Sequence, residues 1–174
     1  MGSSTYSNEA SATTVFAAPT QLTAAPLSDT RIDLTWTHNS ASETAYRLER
    51  KTGASGTWDE IATLEPNVTT YSDTGLAAPV TYVYRVRAAN PAGYSGYSNE
   101  ASATTLILVT ATAGANGNIS PTTVQVVHGA TTSFTVTPEV GYSASVSGCG
   151  GTLSGTTYTT GPITAACAVS ASFT

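Results

Sequence analysis

The chain has 174 residues, of which 40% are apolar and only 10% charged, and its formal net charge is -5. That balance leaves no basic field to condense on phosphate, so nucleic acid is excluded as an expected partner. The greasiest stretch, Leu106 to Val109, falls far below the roughly 18 apolar residues of a membrane-spanning helix, and no membrane insertion is expected.

Met1-Gly2-Ser3-Ser4 reads as an expression remnant rather than a signal peptide, and the chain as an excised piece of a longer protein. The string "YSNEASATT" then occurs twice, at Tyr6 to Thr14 and at Tyr97 to Thr105, 91 residues apart. Such a repeat predicts units of about 90 residues in tandem. From Pro19 onward the pattern is of short strands. Arg31 to Thr37 alternates, placing Ile32, Leu34 and Trp36 on one face. Tyr46 to Arg50 alternates too, and in Tyr82 to Ala88 the residues Tyr82, Tyr84, Val86 and Ala88 share a side. No helical period of useful length appears, so two stacked sheets are the economical way to bury these faces.

This part resembles a fibronectin type III domain. The likeness rests on Pro19 and Leu22, Trp36, Tyr46, an edge strand from Trp58 to Leu64, and "TYSDTGLAAPVTYVYRVRAANPAG". Leu76 to Tyr82 resembles that family's tyrosine corner, in which the phenol bonds to nearby backbone. The resemblance spans about Ala18 to Thr105 and implies that Tyr97 to Thr104 is the last strand. The opening copy, Tyr6 to Thr14, then reads as the last strand of a preceding domain of the same kind. It is expected to be disordered, or to pair with a free edge on a second copy by strand donation.

After Thr105 the composition shifts: Leu106 to Thr174 contains no Lys or Arg, and Glu139 is its single acidic residue. Strands are predicted at Leu106 to Ala113, Thr123 to Val127, Thr132 to Pro138, Ser143 to Val146, Thr157 to Thr160 and Ala165 to Phe173. Asn116-Gly117 is expected to make a two-residue hairpin turn, since both residues tolerate positive φ. Without edge lysines, the sheets of this half need short edge strands or cover from the adjoining unit. Cys149 and Cys167 are the only cysteines. A zinc site would need three or four nitrogen or sulfur ligands, and His128 is the one His in this third of the chain. A disulfide or two separate buried thiols remain, with the disulfide preferred.

"GANGNISP", "VHGATTSFTVTPEVGY" and "VSGCGGTLSGTTYTTGPITAACAVSASF" resemble divergent bacterial surface repeats related to internalin B repeats. The resemblance implies a compact, non-catalytic β fold with a bridge between Cys149 and Cys167.

No catalytic, cofactor-binding or metal-binding residue is expected. His38 in "WTHNS" reads as an exposed loop His and His128 as a turn His, neither with a carboxylate orienter in its own segment. Asp59 and Glu60 are neighbours on a predicted strand and point to opposite faces, so they cannot act as a glycosidase pair. Calcium would want several clustered carboxylates, and "SETA" and "YSDTG" offer one each. "GCGGTLSG" precedes no helix that could hold a phosphate. Asn67-Val68-Thr69 and Asn118-Ile119-Ser120 fit the glycosylation sequon by coincidence.

Among the aromatic residues, Trp36, Tyr46, Tyr82 and Tyr84 belong to core faces. Trp58, Tyr94 and Tyr97 are the candidate ligand-binding rings, although packing is the preferred role for Trp58 and Tyr97, and Tyr142 and Tyr158 are less clearly placed. The loop around Tyr94 reads "NPAGYSG" where some fibronectin type III relatives carry an Arg-Gly-Asp tripeptide, so integrin recognition is not implied.

The expectation is an all-β protein: a fibronectin type III, immunoglobulin-like β-sandwich plus a small disulfide-containing β domain. Residues 1–17 carry the remnant and the orphan strand, 18–105 the sandwich, and 106–174 the bacterial repeat, with a short linker near Thr104 to Leu108 of limited freedom. The expected role is a non-catalytic spacer or adhesion fragment of a secreted or cell-surface bacterial protein, without cofactors, whose partners are neighbouring domains of its parent chain or a second copy. The alternative is a carbohydrate-binding accessory region of a secreted polysaccharide-degrading enzyme, with a polysaccharide as partner.

Overall fold

The computed structural model describes residues 16–174. The expected orphan strand at Tyr6 to Thr14 lies outside the described residues. Every regular element among the described residues is a β-strand.

Eight strands build the first unit: β1 (Thr20–Pro26), β2 (Arg31–Thr37), β3 (Ala45–Thr52), β4 (Asp59–Leu64), β5 (Thr70–Thr74), β6 (Thr81–Asn90), β7 (Gly93–Tyr94) and β8 (Ala101–Thr104). They form two antiparallel sheets, β1-β2-β5 and β4-β3-β6, with β7 and β8 both pairing onto β6. The alternation seen in the sequence is the one that packs. Ile32, Leu34 and Trp36 of β2 meet Tyr46 and Leu48 of β3 and Tyr82, Tyr84, Val86 and Ala88 of β6 in one core. Aromatic and β-branched side chains suit such a pleated, one-face-buried surface.

The loop before β6 is pinned as the tyrosine corner implies: the Ala77 amide donates to the Tyr82 hydroxyl at 3.1 Å. One end of the core is polar. Arg50 donates to both oxygens of buried Asp73 at 3.0 and 2.9 Å, and the Tyr84 hydroxyl donates to the same carboxylate at 2.9 Å. Burial, and then the charge and hydrogen bond of Asp73, push the Tyr84 phenol up from its ordinary value.

The second core has its own strands: β9 (Ile107–Ala113), β10 (Gly117–Ser120), β11 (Thr123–Val126), β12 (Ser133–Pro138), β13 (Ala144–Ser147), β14 (Thr152–Ser154), β15 (Thr157–Thr159) and β16 (Cys167–Phe173). One sheet runs β10-β12-β15-β14 and the other β11-β9-β16-β13. Within the latter, β9 and β16 pair in parallel, while the remaining pairs are antiparallel. Ile107, Val109, Ile119, Phe134, Val136, Tyr158, Val169 and Phe173 are among the large buried side chains of this core. Tyr158 thus belongs to the core, and Tyr142 stays exposed. The four edge strands β10, β14, β11 and β13 are only three or four residues long, which limits the backbone each offers to another chain.

Two expectations for this half are corrected. Asn116-Gly117 is not a hairpin turn, because β9 does not pair with β10: the chain crosses there from one sheet to the other. Only Asn116 takes a positive φ, of 69°. Gly117 is needed for space, since a Cβ there would overlap the Phe173 ring. The strands β10 and β14 were also not anticipated.

Cys149 and Cys167 form a disulfide. It ties the loop after β13 to the start of β16.

The stretch between the two cores is two residues long. Thr105 is 1% exposed; its amide donates to the Val80 carbonyl at 3.1 Å and its hydroxyl to the Ala77 carbonyl at 2.7 Å. The Leu106 amide donates to the Ser28 carbonyl at 3.1 Å, and the Gln125 carboxamide reaches Asp29 at 3.1 Å.

Candidate functional site

Pleating sends alternate residues of β3 and β6 to the outer face of the first sandwich. Arg47, Glu49 and Lys51 come from β3, Arg85 and Arg87 from β6, and the register sets Arg47 opposite Arg87 and Glu49 opposite Arg85. Four of the six cationic residues of the chain therefore share this face. The three candidate rings join them. Lys51 Nζ lies 4.5 Å from the centroid of Trp58, and the Arg85 guanidinium lies 4.1 Å from Trp58 and 3.8 Å from Tyr97. Arg87 continues the run, 4.7 Å from Tyr97 and 4.0 Å from Tyr94. Cation and ring alternate from Lys51 to Tyr94, a geometry in which each guanidinium plane lies against aromatic π density.

Glu49 sits in the middle of the run and is buried. One of its oxygens accepts from the Tyr97 hydroxyl at 2.6 Å, the other from Arg85 Nε at 2.8 Å and Nη2 at 2.6 Å. Burial by itself would raise the Glu49 pKa. The hydrogen bonds from Tyr97 and Arg85, with the charges of Arg85 and Arg87, outweigh it and hold the carboxyl below its ordinary value. Tyr97 is pushed up by burial and by its bond to Glu49. Lys51 pairs with Glu100 at 3.4 Å, and Arg47 with Glu60 at 2.7 Å.

The structure thus brings Trp58, Tyr94 and Tyr97 together, which the sequence reading did not anticipate. It also shows what that reading missed, the cations between them. The alternation that placed Tyr84 and Val86 inside puts Arg85 and Arg87 outside, so the signal was present in β6. Trp58 and Tyr97 are partly covered, and Tyr94 is 53% exposed. Tyr94 borders an open cleft of about 290 Å³ lined also by Thr44, Arg47, Asn90 and Pro91.

His38 differs from its expected place. Rather than an exposed loop residue without an orienter, it is half-buried, with Nδ1 3.0 Å from Glu43 Oε1 and 2.7 Å from the Tyr46 hydroxyl. The partner lies five residues on, across the turn into β3. Burial and the neighbouring Glu43 charge push the Tyr46 phenol up to about 12. Neither His38 nor Glu43 lines the clefts at the disulfide, at Tyr94, at the junction of the two cores or beside Lys51. His128 is exposed in a turn. Among the described residues no three His, Cys, Asp or Glu side chains are grouped as a metal ion would need.

A family model of the fibronectin type III domain matches residues 17–104, half of the chain. No curated protein matches it. A fibronectin type III-like protein from Clostridium thermocellum is 32% identical over 51% of this chain and 92% of its own, with a TM-score of 0.46. A β-1,2-glucanase from Parabacteroides distasonis is 26% identical over 52% of this chain, with a TM-score of 0.47, and a structure of titin kinase and its flanking domains is 24% identical over 52%, also at 0.47. Those matches span only 13% of the glucanase and 17% of the titin structure. The family model, the sandwich of two antiparallel sheets and the pinned tyrosine corner agree, and the chain belongs to the fibronectin type III domain family.

Proposed function

We propose that this chain is a spacer and adhesion fragment of a multi-domain bacterial protein, secreted or displayed on the cell surface, and that it catalyses nothing itself. Fibronectin type III domains are commonly non-catalytic modules of this kind. In this reading residues 18–105 are one module and 106–174 a second, related to internalin B repeats. The disulfide supports an oxidising compartment.

The observation that carries the reading is the junction. Thr105 and Leu106 both donate backbone hydrogen bonds to the first sandwich, and the next residue, Ile107, is 1% exposed in the second core. No residue is left over to act as a free hinge, so the unit keeps direction as well as distance, as a spacer must. Spin labels introduced as unnatural residues at Glu65 and Ser145, leaving the disulfide intact, test this by pulsed dipolar spectroscopy. One narrow distance distribution is expected, broadened by inserting three glycines between Thr105 and Leu106; a broad distribution in the unmodified protein overturns the reading. Strand donation by Tyr6 to Thr14 belongs to the same proposal, and a concentration-independent monomer in sedimentation would remove it.

Carbohydrate binding is the second reading, favoured by the exposed ring of Tyr94, which borders a cleft with Arg47 and stacks on the Arg87 guanidinium.

A further inference from the structure

The last strand of the first sandwich is held by bonds from nine consecutive residues, Tyr97 to Thr105. The Tyr97 hydroxyl donates to Glu49 at 2.6 Å, the Ser98 amide to the Val86 carbonyl at 2.8 Å, and the Val86 amide to the Ser98 hydroxyl at 3.1 Å. Asn99 closes both backbone groups of Leu22, and Glu100 lies 3.4 Å from Lys51. Ala101–Thr104 pair with Thr81 to Tyr84, and Thr105 locks onto Val80 and Ala77. Tyr6 to Thr14 spell the same nine residues in the same order. A slot on β6 that accepts one copy in register therefore accepts the other with the same bonds.

The opening copy cannot reach the slot of its own sandwich. Ala18 packs beside Gly96, at the start of the slot: a Cβ on Gly96 would lie 3.8 Å from the Ala18 Cβ. To make these bonds, Thr14 would have to sit at the far end, where Thr105 meets Val80. Nine extended residues from Gly96 to Thr105 cover roughly 25–30 Å, whereas the four steps from Thr14 to Ala18 span at most about 14 Å. Entry from the opposite direction would run parallel to β6 and lose the side-chain bonds. The slot within reach belongs to a second copy of the chain.

We propose that Tyr6 to Thr14 of one copy replace Tyr97 to Thr105 on β6 of a second copy, linking the two head to tail. Donor and resident are identical, so the exchange alters no contact inside the slot. What favours the resident is its tether, which holds it at a high effective concentration. Exchange therefore needs concentrated protein or a weakened resident. Each copy gives one strand and takes one, so the contact is heterologous and propagates from copy to copy. Only Val15 separates the donated Thr14 from Phe16, which packs against the core of the donor's own sandwich. Donor and acceptor sandwiches then follow each other as closely as the two cores of one chain do. In the acceptor, Thr105 and Leu106 leave with the displaced strand, and the second core is released from its junction. The proposal deepens the strand donation of the reading above; its failure leaves the rigid spacer standing, which the dipolar distances judge separately.

Sedimentation velocity of the full chain, refolded by dilution from urea over a wide range of protein concentration, tests it. Multimers are expected, with a share that rises with concentration. Asn99→Ala weakens the resident and leaves the donor whole, so it should lower the concentration at which multimers appear by at least about fivefold. Asn8→Ala weakens the donor alone and should raise that concentration, and the two changes together should return it towards the parental value. Deleting Tyr6 to Thr14 should abolish the multimers. Monomer at every concentration in both the parent and Asn99→Ala overturns the proposal, as do multimers that survive the deletion or form equally well in Asn8→Ala. Asn8→Ala leaves the resident strand and its sandwich unchanged, so a loss of multimers there is not a loss of fold.

Discussion

Asn99 supplies Leu22 with both halves of a strand-like pair: its carboxamide nitrogen donates to the Leu22 carbonyl at 2.9 Å, and its oxygen accepts from the Leu22 amide at 3.0 Å. The need for it lies in β1, whose register against β2 skips between Thr20 and Thr23, with Gln21 at a φ of 55°. That bulge turns Leu22 into the core, and a side chain from the opposite sheet closes its backbone bonds. The neighbours of Asn99 are equally committed. Tyr97 bonds Glu49, Ser98 accepts from the Val86 amide at 3.1 Å, and Glu100 meets Lys51. The repeated spelling is therefore a set of structural instructions, and the copy at Tyr6 to Thr14 carries the same groups.

Asn99→Ala should destabilise the first sandwich by about 1–3 kcal/mol, because it leaves two backbone groups of a buried residue without partners. Urea unfolding followed by Trp36 fluorescence measures it. A midpoint indistinguishable from the parent would mean that water or β2 satisfies Leu22 instead.

Glu49 makes stability depend on pH in the acid range. Its folded pKa lies below that of the unfolded chain, ordinarily about 4.3. The ionised carboxylate therefore adds stability at every pH above that value, and the contribution is lost as pH falls through the folded value. Glu49→Gln should be less stable than the parent at pH 7, with the gap narrowing as pH falls below about 4. Thermal midpoints across that range decide the matter, and a constant gap would argue that Glu49 acts by shape alone.

The bridge between Cys149 and Cys167 closes a loop of 18 residues. Loop-closure entropy for that length is worth about 3 kcal/mol. Changing both cysteines to Ser should lower the stability of the second core by that order while the Trp36 signal of the first core stays where it was. A shift of both cores together would show that they unfold as one unit.

Much of the first sandwich could be read from the chain because its strands are long enough to alternate. Ile32, Leu34 and Trp36, or Tyr82, Tyr84 and Val86, announce their face with a period of two, and hydrophobic burial acts on that pattern directly. The second half was less legible. The strands β10 and β14 each bury or half-bury a single large apolar side chain, Ile119 and Leu153, and Asn116-Gly117 has the chemistry of a hairpin turn although the strands on either side enter different sheets.

By themselves the residues determined which faces are buried, that the protein is built of strands, and that 106–174 differs in kind from what precedes it. Only the tertiary structure decided that β9 and β16 lie side by side in parallel, that Trp58, Tyr97 and Tyr94 interleave with Lys51, Arg85 and Arg87, and that Arg47 faces Arg87. The physical reason is range. Burial preference is a property of each side chain and its near neighbours, whereas register and cross-strand partnership depend on segments tens of residues apart whose pairing no local pattern specifies.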